Sequence, residues 1–72
     1  MMDDMAEVAR LRLSVDLEAR ADAFAAWRNL GEAVPLMRGA NEIRRRVFGH
    51  FDPNELRERT RQYLANPEMQ DG

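Results

Sequence analysis

The sequence predicts a mainly α-helical protein with one short N-terminal strand that pairs across a homodimer, then two core helices and a third C-terminal helix. Three observations predict this fold class. Residues 10–16 alternate polar and apolar side chains, two segments between residues 17 and 48 carry apolar side chains at helical spacing, and residues 52–55 form a helix start. The chain has 72 residues, which is enough for one domain but leaves a monomer with little buried apolar surface.

The predicted strand runs from Arg10 to Asp16. Leu11, Leu13 and Val15 would share one face of this strand, because successive side chains point to opposite faces. A single strand cannot satisfy its own backbone donors and acceptors, and no second strand is visible in the chain. The simplest partner is therefore the same strand of another copy.

One long helix over residues 3–29 is the alternative interpretation of this region. Met5, Val8, Leu11 and Val15 recur at helical spacing. Leu13 and Leu17 would face away from that apolar stripe, so the helix would need contacts on both sides. In this alternative the chain is an all-helical interaction module.

The two core helices follow the predicted strand. With Asp16 as its N-cap, the first helix is predicted from Leu17 to about Leu30, and it stops at Gly31. Its expected core side chains, spaced for one helical face, are Leu17, Ala21, Phe24, Trp27 and Leu30. The second helix is predicted to start near Pro35 and to end at Gly49 as its C-terminal cap. Its narrow apolar seam consists of Leu36, Ala40, Ile43 and Val47, with Arg38, Arg44 and Arg45 largely off it.

The third helix has the clearest start signal in the chain. Asp52 can cap the helix, Pro53 fits its first position and Glu55 can complete a capping box. The helix is predicted to run to about Ala65, before Asn66 and a proline. Three regions are expected: an acidic flexible arm at 1–9, a dimerisation domain at 10–49, and a C-terminal helix with a disordered tail at 50–72.

Composition excludes several function classes. The chain has no cysteine and only one histidine, His50, so disulfides are excluded and no metal or cofactor is expected. Ser14 has no histidine or lysine nearby to activate it, and we expect no catalysis. There is no charged leader and no apolar run of about 20 residues, so a cytoplasmic protein without membrane contact is expected. The formal net charge is −2, which argues against a non-specific nucleic-acid coat.

A strand of about seven residues followed by two helices and an intervening glycine resembles the ribbon-helix-helix family of DNA-binding dimers, over residues 10–49. The resemblance implies that two strands pair into an antiparallel ribbon that enters the major groove of duplex DNA. Arg10, Arg12 and Ser14 would then read base edges. Residues 31–35 lack the serine or threonine that in this family helps to hold a DNA phosphate. Arg28 or Arg38 would supply that contact instead.

The acidic segment beyond Gly49 resembles the partner-binding half of antitoxins in the same family. This resemblance implies a repressor that autoregulates its operon and binds a protein partner through the C-terminal helix. The candidate partner-binding residues are Phe51, Leu56, Tyr63 and Leu64. The same helix packing back on its own dimer is the alternative.

Three function hypotheses follow from these patterns. The first is a homodimeric, sequence-specific DNA-binding repressor, with an antitoxin role as its extension. The second is a small helical adaptor or inhibitor that binds protein and not DNA. The third is a subunit of a larger complex in which the ribbon serves dimerisation alone.

Overall fold

The computed structural model describes residues 4–66, which fold into three helices. Helix α1 spans Asp4–Ala26, α2 spans Leu30–Phe48 and α3 spans Pro53–Ala65. Helices α1 and α2 form an extensively packed hairpin, and α3 packs against both of them. The mainly helical character predicted from the sequence is confirmed.

The predicted strand at residues 10–16 is wrong, because the whole run lies inside α1. In a strand, Leu11, Leu13 and Val15 would share one face. Leu11 is fully buried, but Leu13 is 51% exposed and Val15 43%. The buried positions of α1 follow the helical period instead, at Val8, Leu11, Ser14 and Ala21. A helix satisfies its backbone donors and acceptors within one segment, whereas the strand needed a second chain. A single long helix, as in the alternative interpretation, occupies this region, but it ends at Ala26 and not at residue 29.

Two further boundaries differ from the prediction. Residues 4–9, expected in a flexible arm, form the first turns of α1, while residues 1–3 lie outside the described residues. Helix α2 was predicted to start near Pro35, but it begins five residues earlier, at Leu30, and contains Pro35. Pro35 lacks the N–H that would donate to the carbonyl of Gly31, and α2 accommodates this loss in its second turn.

Both predicted caps around the α2–α3 loop are confirmed. Gly49 ends α2 with a φ of 107°, a left-handed conformation that glycine adopts without a Cβ penalty. Asp52 caps α3, where its Oδ1 accepts a hydrogen bond of 2.8 Å from the Glu55 N–H. Pro53 occupies the first helical position, as predicted. The predicted disordered tail beyond Asn66 lies outside the described residues.

Small side chains form much of the hairpin core. Ala21, Ala33 and Ala40 are buried between or beside the helices, with at most 6% exposure. Gly39 faces α1 here, and a Cβ at this position would make an ordinary van der Waals contact of 3.5 Å with Leu17 Cδ1.

Helix α3 contributes a second set of packing contacts. Leu56 is fully buried and Thr60 is 1% exposed. The rings of Phe48 and Tyr63 pack edge to face, with centroids 6.0 Å apart. The Tyr63 hydroxyl also donates to Glu7 Oε1 at 3.3 Å, which links α3 to the start of α1.

Candidate interaction surface

A network of charged side chains around a buried arginine joins the three helices. Arg44 of α2 is 2% exposed, and its Nε donates to Ser14 Oγ at 3.0 Å. The Ser14 hydroxyl in turn donates to the Leu11 carbonyl at 2.6 Å. Arg44 Nη2 lies 2.6 Å from Glu18 Oε1, and Arg57 Nε of α3 lies 2.6 Å from Glu18 Oε2. One carboxylate on α1 therefore holds an arginine from each of the other helices.

The charge state of Glu18 is set by two opposing effects. Burial raises the pKa of its carboxyl group, because a charged group loses hydration. The hydrogen bonds and positive charges of Arg44 and Arg57 outweigh that effect and hold the pKa below its usual value. Glu18 is therefore ionised at neutral pH and compensates the buried guanidinium.

An open groove of about 510 Å³ lies between α1 and α3 beside this network. Its lining includes Val15 and Ala19 from α1, Leu64 and Ala65 from α3, and Arg44 from α2. Both carboxylate oxygens of Glu18 are already used within the chain. The charged groups beside the groove therefore join α3 to the hairpin.

The α1–α2 turn has a distinctive backbone. The Asn29 N–H donates to the Phe24 carbonyl at 2.8 Å and the Arg28 N–H donates to the Ala25 carbonyl at 2.9 Å. This pair of hydrogen bonds is the Schellman helix ending. Arg28 occupies its left-handed position with a φ of 62°, where glycine is usual. A side chain with a Cβ is strained in this conformation.

Four large apolar side chains are exposed at this end of the hairpin, and we call them the hairpin-end cluster: Phe24, Trp27, Leu30 and Val34. Trp27 is 85% exposed, Leu30 60%, Val34 45% and Phe24 36%. Three of them lie within the turn or the helical residues that border it, and Val34 lies one turn further along α2. The two most exposed of them, Trp27 and Leu30, lie at the turn itself, and exposed apolar surface of this kind marks interaction sites in soluble proteins.

The sequence analysis assigned three members of this cluster to the core: Phe24, Trp27 and Leu30. Phe24, Trp27 and Leu30 recur every three residues, which fits one face of a continuous helix. The helix ends at Ala26, so the spacing continues across a turn where it no longer describes a face.

The predicted DNA-contact residues are not brought together. Ser14 has no exposed surface, while Arg10 and Arg12 are exposed on α1. Side chains two positions apart in a helix point about 200° away from each other, so Arg10 and Arg12 lie on opposite sides of α1. Arg28 lies in the α1–α2 turn, about 25 Å from Arg10 along α1 at the rise of an α-helix. Arg38 is exposed near the middle of the hairpin, next to Gly39, which packs beside Leu17.

The predicted partner-binding residues lie mostly in intramolecular contacts. Leu56 is fully buried, and Tyr63 and Leu64 are half-buried. Phe51 is 36% exposed, and the guanidinium of Arg59 lies over its ring at 3.9 Å. Helix α3 therefore packs on its own chain, which was the alternative considered for it.

The sequence analysis did not identify Arg44 and Glu18 as the buried charge pair. The apolar seam predicted for α2 leaves Arg44 off it, yet this side chain is among the most buried in the structure. A sequence signal did exist: Ser14 and Glu18 stand four residues apart on the same side of α1 as Leu11. Polar side chains on an apolar face indicate a buried polar partner.

The part of the chain that the structure describes contains no group of three or more acidic or histidine side chains placed to hold a metal. None of the three helices combines the length and apolarity needed to cross a membrane. Comparison with protein-family models, with curated proteins and with solved structures gave no match to this chain.

Proposed function

We propose that this chain is a small helical protein–protein interaction module, an adaptor or inhibitor, that contacts its partner through the hairpin-end cluster. The observation that carries the proposal is the 85% exposure of Trp27 among three further exposed apolar side chains. Tryptophan is the residue most typical of interface positions that dominate binding energy. The repressor and antitoxin hypotheses needed a ribbon that residues 4–66 do not form, so they are not part of this proposal.

Selection from a display library of genome fragments of the source organism tests the proposal. Binders of the unmodified protein are expected to lose affinity by about 30-fold with Trp27→Ala, which corresponds to the loss of about 2 kcal/mol at a dominant contact. Leu13→Ala is the matched control, because Leu13 is also an exposed apolar side chain, at 51%, but lies on α1 outside the cluster.

Both variants are expected to keep the fold, since each removes a mainly exposed side chain. A urea denaturation curve of each variant verifies this before affinities are compared. The proposal is wrong if the selected binders respond equally to the two substitutions, or if they respond to Leu13→Ala alone.

A further inference from the structure

The α1–α2 hairpin has two broad faces, and helix α3 covers only one of them. The covered face contains the buried pair of Glu18 and Arg44, which Arg57 of α3 joins. The apolar side chains of the opposite face are exposed or half-buried. We call this surface the open hairpin face, and its residues are Leu13, Leu17 and Phe24 from α1 and Leu36, Gly39 and Ile43 from α2.

Helix geometry places these residues away from α3. Leu13 is two positions after the fully buried Leu11, so their side chains point about 200° apart. Leu13 and Ile43 line one shallow cavity of about 410 Å³, which shows that they share a surface across the two helices. Phe24 and Leu36 lie on the same side, because each stands seven residues from another member of this face on its own helix.

Leu17 and Gly39 mark the middle of the open hairpin face. Leu17 Cδ1 lies 3.5 Å from the position of a Cβ on Gly39, so the two residues are level with each other. Glu32 of α2 stands seven residues before Gly39, at the end near the α1–α2 turn. Arg46 stands seven residues after Gly39, at the other end, where it lines the shallow cavity together with Arg10.

The charges on α2 are therefore placed symmetrically about the middle of this face. Glu32 and Arg46 have opposite signs and equal spacing from Gly39, and steps of seven residues keep all three on one side of the helix. Within residues 4–66, Glu32 makes no ion pair, and Arg46 has only an exposed pair with Glu42.

Helix α1 carries a second pair of opposite charges beside the middle of the face. Asp16 precedes Leu17, and Arg20 follows it by three residues. Arg20 stands four residues after Asp16, so the two side chains are neighbours on the helix surface. Both are exposed, and neither makes an ion pair in the described part of the chain.

We propose that two copies of this chain pair through the open hairpin face and form an antiparallel four-helix dimer. The two-fold axis passes through the middle of the face, so α1 packs on α1 of the second copy and α2 packs on α2. Because the second copy runs in the opposite direction, Glu32 of each copy lies against Arg46 of the other, and Asp16 lies against Arg20. An interface between two identical surfaces needs self-complementarity of this kind.

The charges also exclude the other two-fold pairing of this face. An axis parallel to the helices keeps equivalent ends together and places Arg10 of one copy against Arg46 of the other, which is repulsive. Chain length favours a second copy as the occupant, since a domain of 72 residues buries little apolar surface alone. The proposed dimer uses helix faces, whereas the strand ribbon expected from the sequence is not formed by residues 4–66.

The dimer goes beyond the proposed function and leaves its contact surface accessible. Trp27 lies ten residues after Leu17, so the two copies of Trp27 stand roughly 30 Å apart at opposite ends of the dimer. One dimer therefore presents two hairpin ends. Because Leu13 lies on the open hairpin face and Glu42 beside it, comparisons that use Leu13→Ala or Glu42→Gln are made at protein concentrations where the monomer predominates.

Sedimentation equilibrium of charge-swap variants tests the dimer. The unmodified protein is expected to show a concentration-dependent equilibrium between monomer and dimer. Glu32→Arg and Arg46→Glu each place like charges at both ends of the α2–α2 contact, so each should raise the dimer dissociation constant by about tenfold or more. An equimolar mixture of the two variants restores opposite charges at both ends, and its dissociation constant should return to within about threefold of the unmodified value.

The matched controls reverse the same charges on α3, outside the open hairpin face. Glu58→Arg and Arg61→Glu change exposed side chains and should leave the dissociation constant within about twofold. Urea denaturation of each variant verifies that it is folded before the dissociation constants are compared.

The outcomes separate this dimer from the proposed function. A protein that stays monomeric up to about 1 mM overturns the dimer and leaves the assignment of Trp27 in place. A dimer that responds alike to Glu32→Arg and Glu58→Arg, or that the mixture does not restore, overturns the antiparallel arrangement. A dimer weakened by Trp27→Ala alone forms through the hairpin-end cluster, which overturns the open hairpin face as the interface.

Discussion

Glu18→Gln tests whether the buried charge network stabilises the fold. The substitution preserves the shape of the side chain but removes the charge that compensates Arg44, which is 2% exposed. Removing one partner of a buried ion pair costs about 3–5 kcal/mol, because the remaining charge is left without compensation. The pair with Arg57, whose side chain is 44% exposed, adds no more than about 1 kcal/mol.

The expected loss is large relative to the total stability of so small a domain. A 72-residue chain has a free energy of unfolding of roughly 4–11 kcal/mol at typical values per residue. A loss of about 3–5 kcal/mol would therefore shift the urea midpoint strongly or unfold much of the protein. The assay is urea denaturation followed by the circular dichroism signal of the helices.

Glu42→Gln is the matched control for this experiment. Glu42 lies 3.7 Å from Arg46 in an exposed pair, so its loss should change stability by no more than about 0.5 kcal/mol. Combining Glu18→Leu with Arg44→Met removes both buried charges, and this variant should be more stable than Glu18→Gln. Equal urea midpoints for Glu18→Gln and Glu42→Gln would refute the reasoning, and so would a double variant no more stable than Glu18→Gln.

Three further predictions follow from the same structure. Arg28→Gly should raise the free energy of unfolding by about 1 kcal/mol, measured by urea denaturation, because glycine adopts the left-handed turn without strain; an unchanged or lower midpoint contradicts this. The pKa of Glu18 is lower in the folded protein than in the unfolded chain. Its ionised carboxylate therefore stabilises the fold at pH values above the unfolded-state pKa of about 4.3, and this contribution is lost as the pH falls through the folded-state pKa. The urea midpoint should therefore fall more between pH 7 and pH 3 for the unmodified protein than for the Glu18→Leu, Arg44→Met variant. An equal fall in both proteins would exclude the protonation of Glu18 as its cause. Leu56→Ala should cost about 2–5 kcal/mol because Leu56 is fully buried, against less than about 0.5 kcal/mol for Leu13→Ala, and similar costs would contradict the packing described.

The sequence predicted well those features that depend on a few neighbouring residues. The start of α3 is determined within one turn, by Asp52, Pro53 and Glu55. The end of α2 is determined by the backbone conformation of Gly49. The N-terminal region was harder, because Leu11 and Val15 fit both an alternating strand and a helical stripe. The strand prediction failed because it required backbone partners from another chain, whereas the helix provides them locally.

The buried Arg44 network depends on contacts between distant residues, which spacing alone does not show. Arg44 is buried because Ser14 and Glu18 accept its hydrogen bonds from 30 and 26 positions away along the chain. Trp27 was predicted as core because it continues the apolar spacing of α1, but the helix ends one residue before it. The exposure of the cluster thus follows from the exact position of a helix end, which is the least certain feature of a sequence-based prediction.

The attachment of α3 implies that the molecule opens in stages. Leu56 and Thr60 are the buried side chains of α3, and its link to α1 relies on the Glu18–Arg57 ion pair and the hydroxyl of Tyr63. The α1–α2 hairpin has the more extensive packing. Partial unfolding events follow differences in local packing of this kind. Amide hydrogens of α3 should therefore exchange with solvent through openings that leave the hairpin intact, so α3 behaves as a separate cooperative unit of the fold.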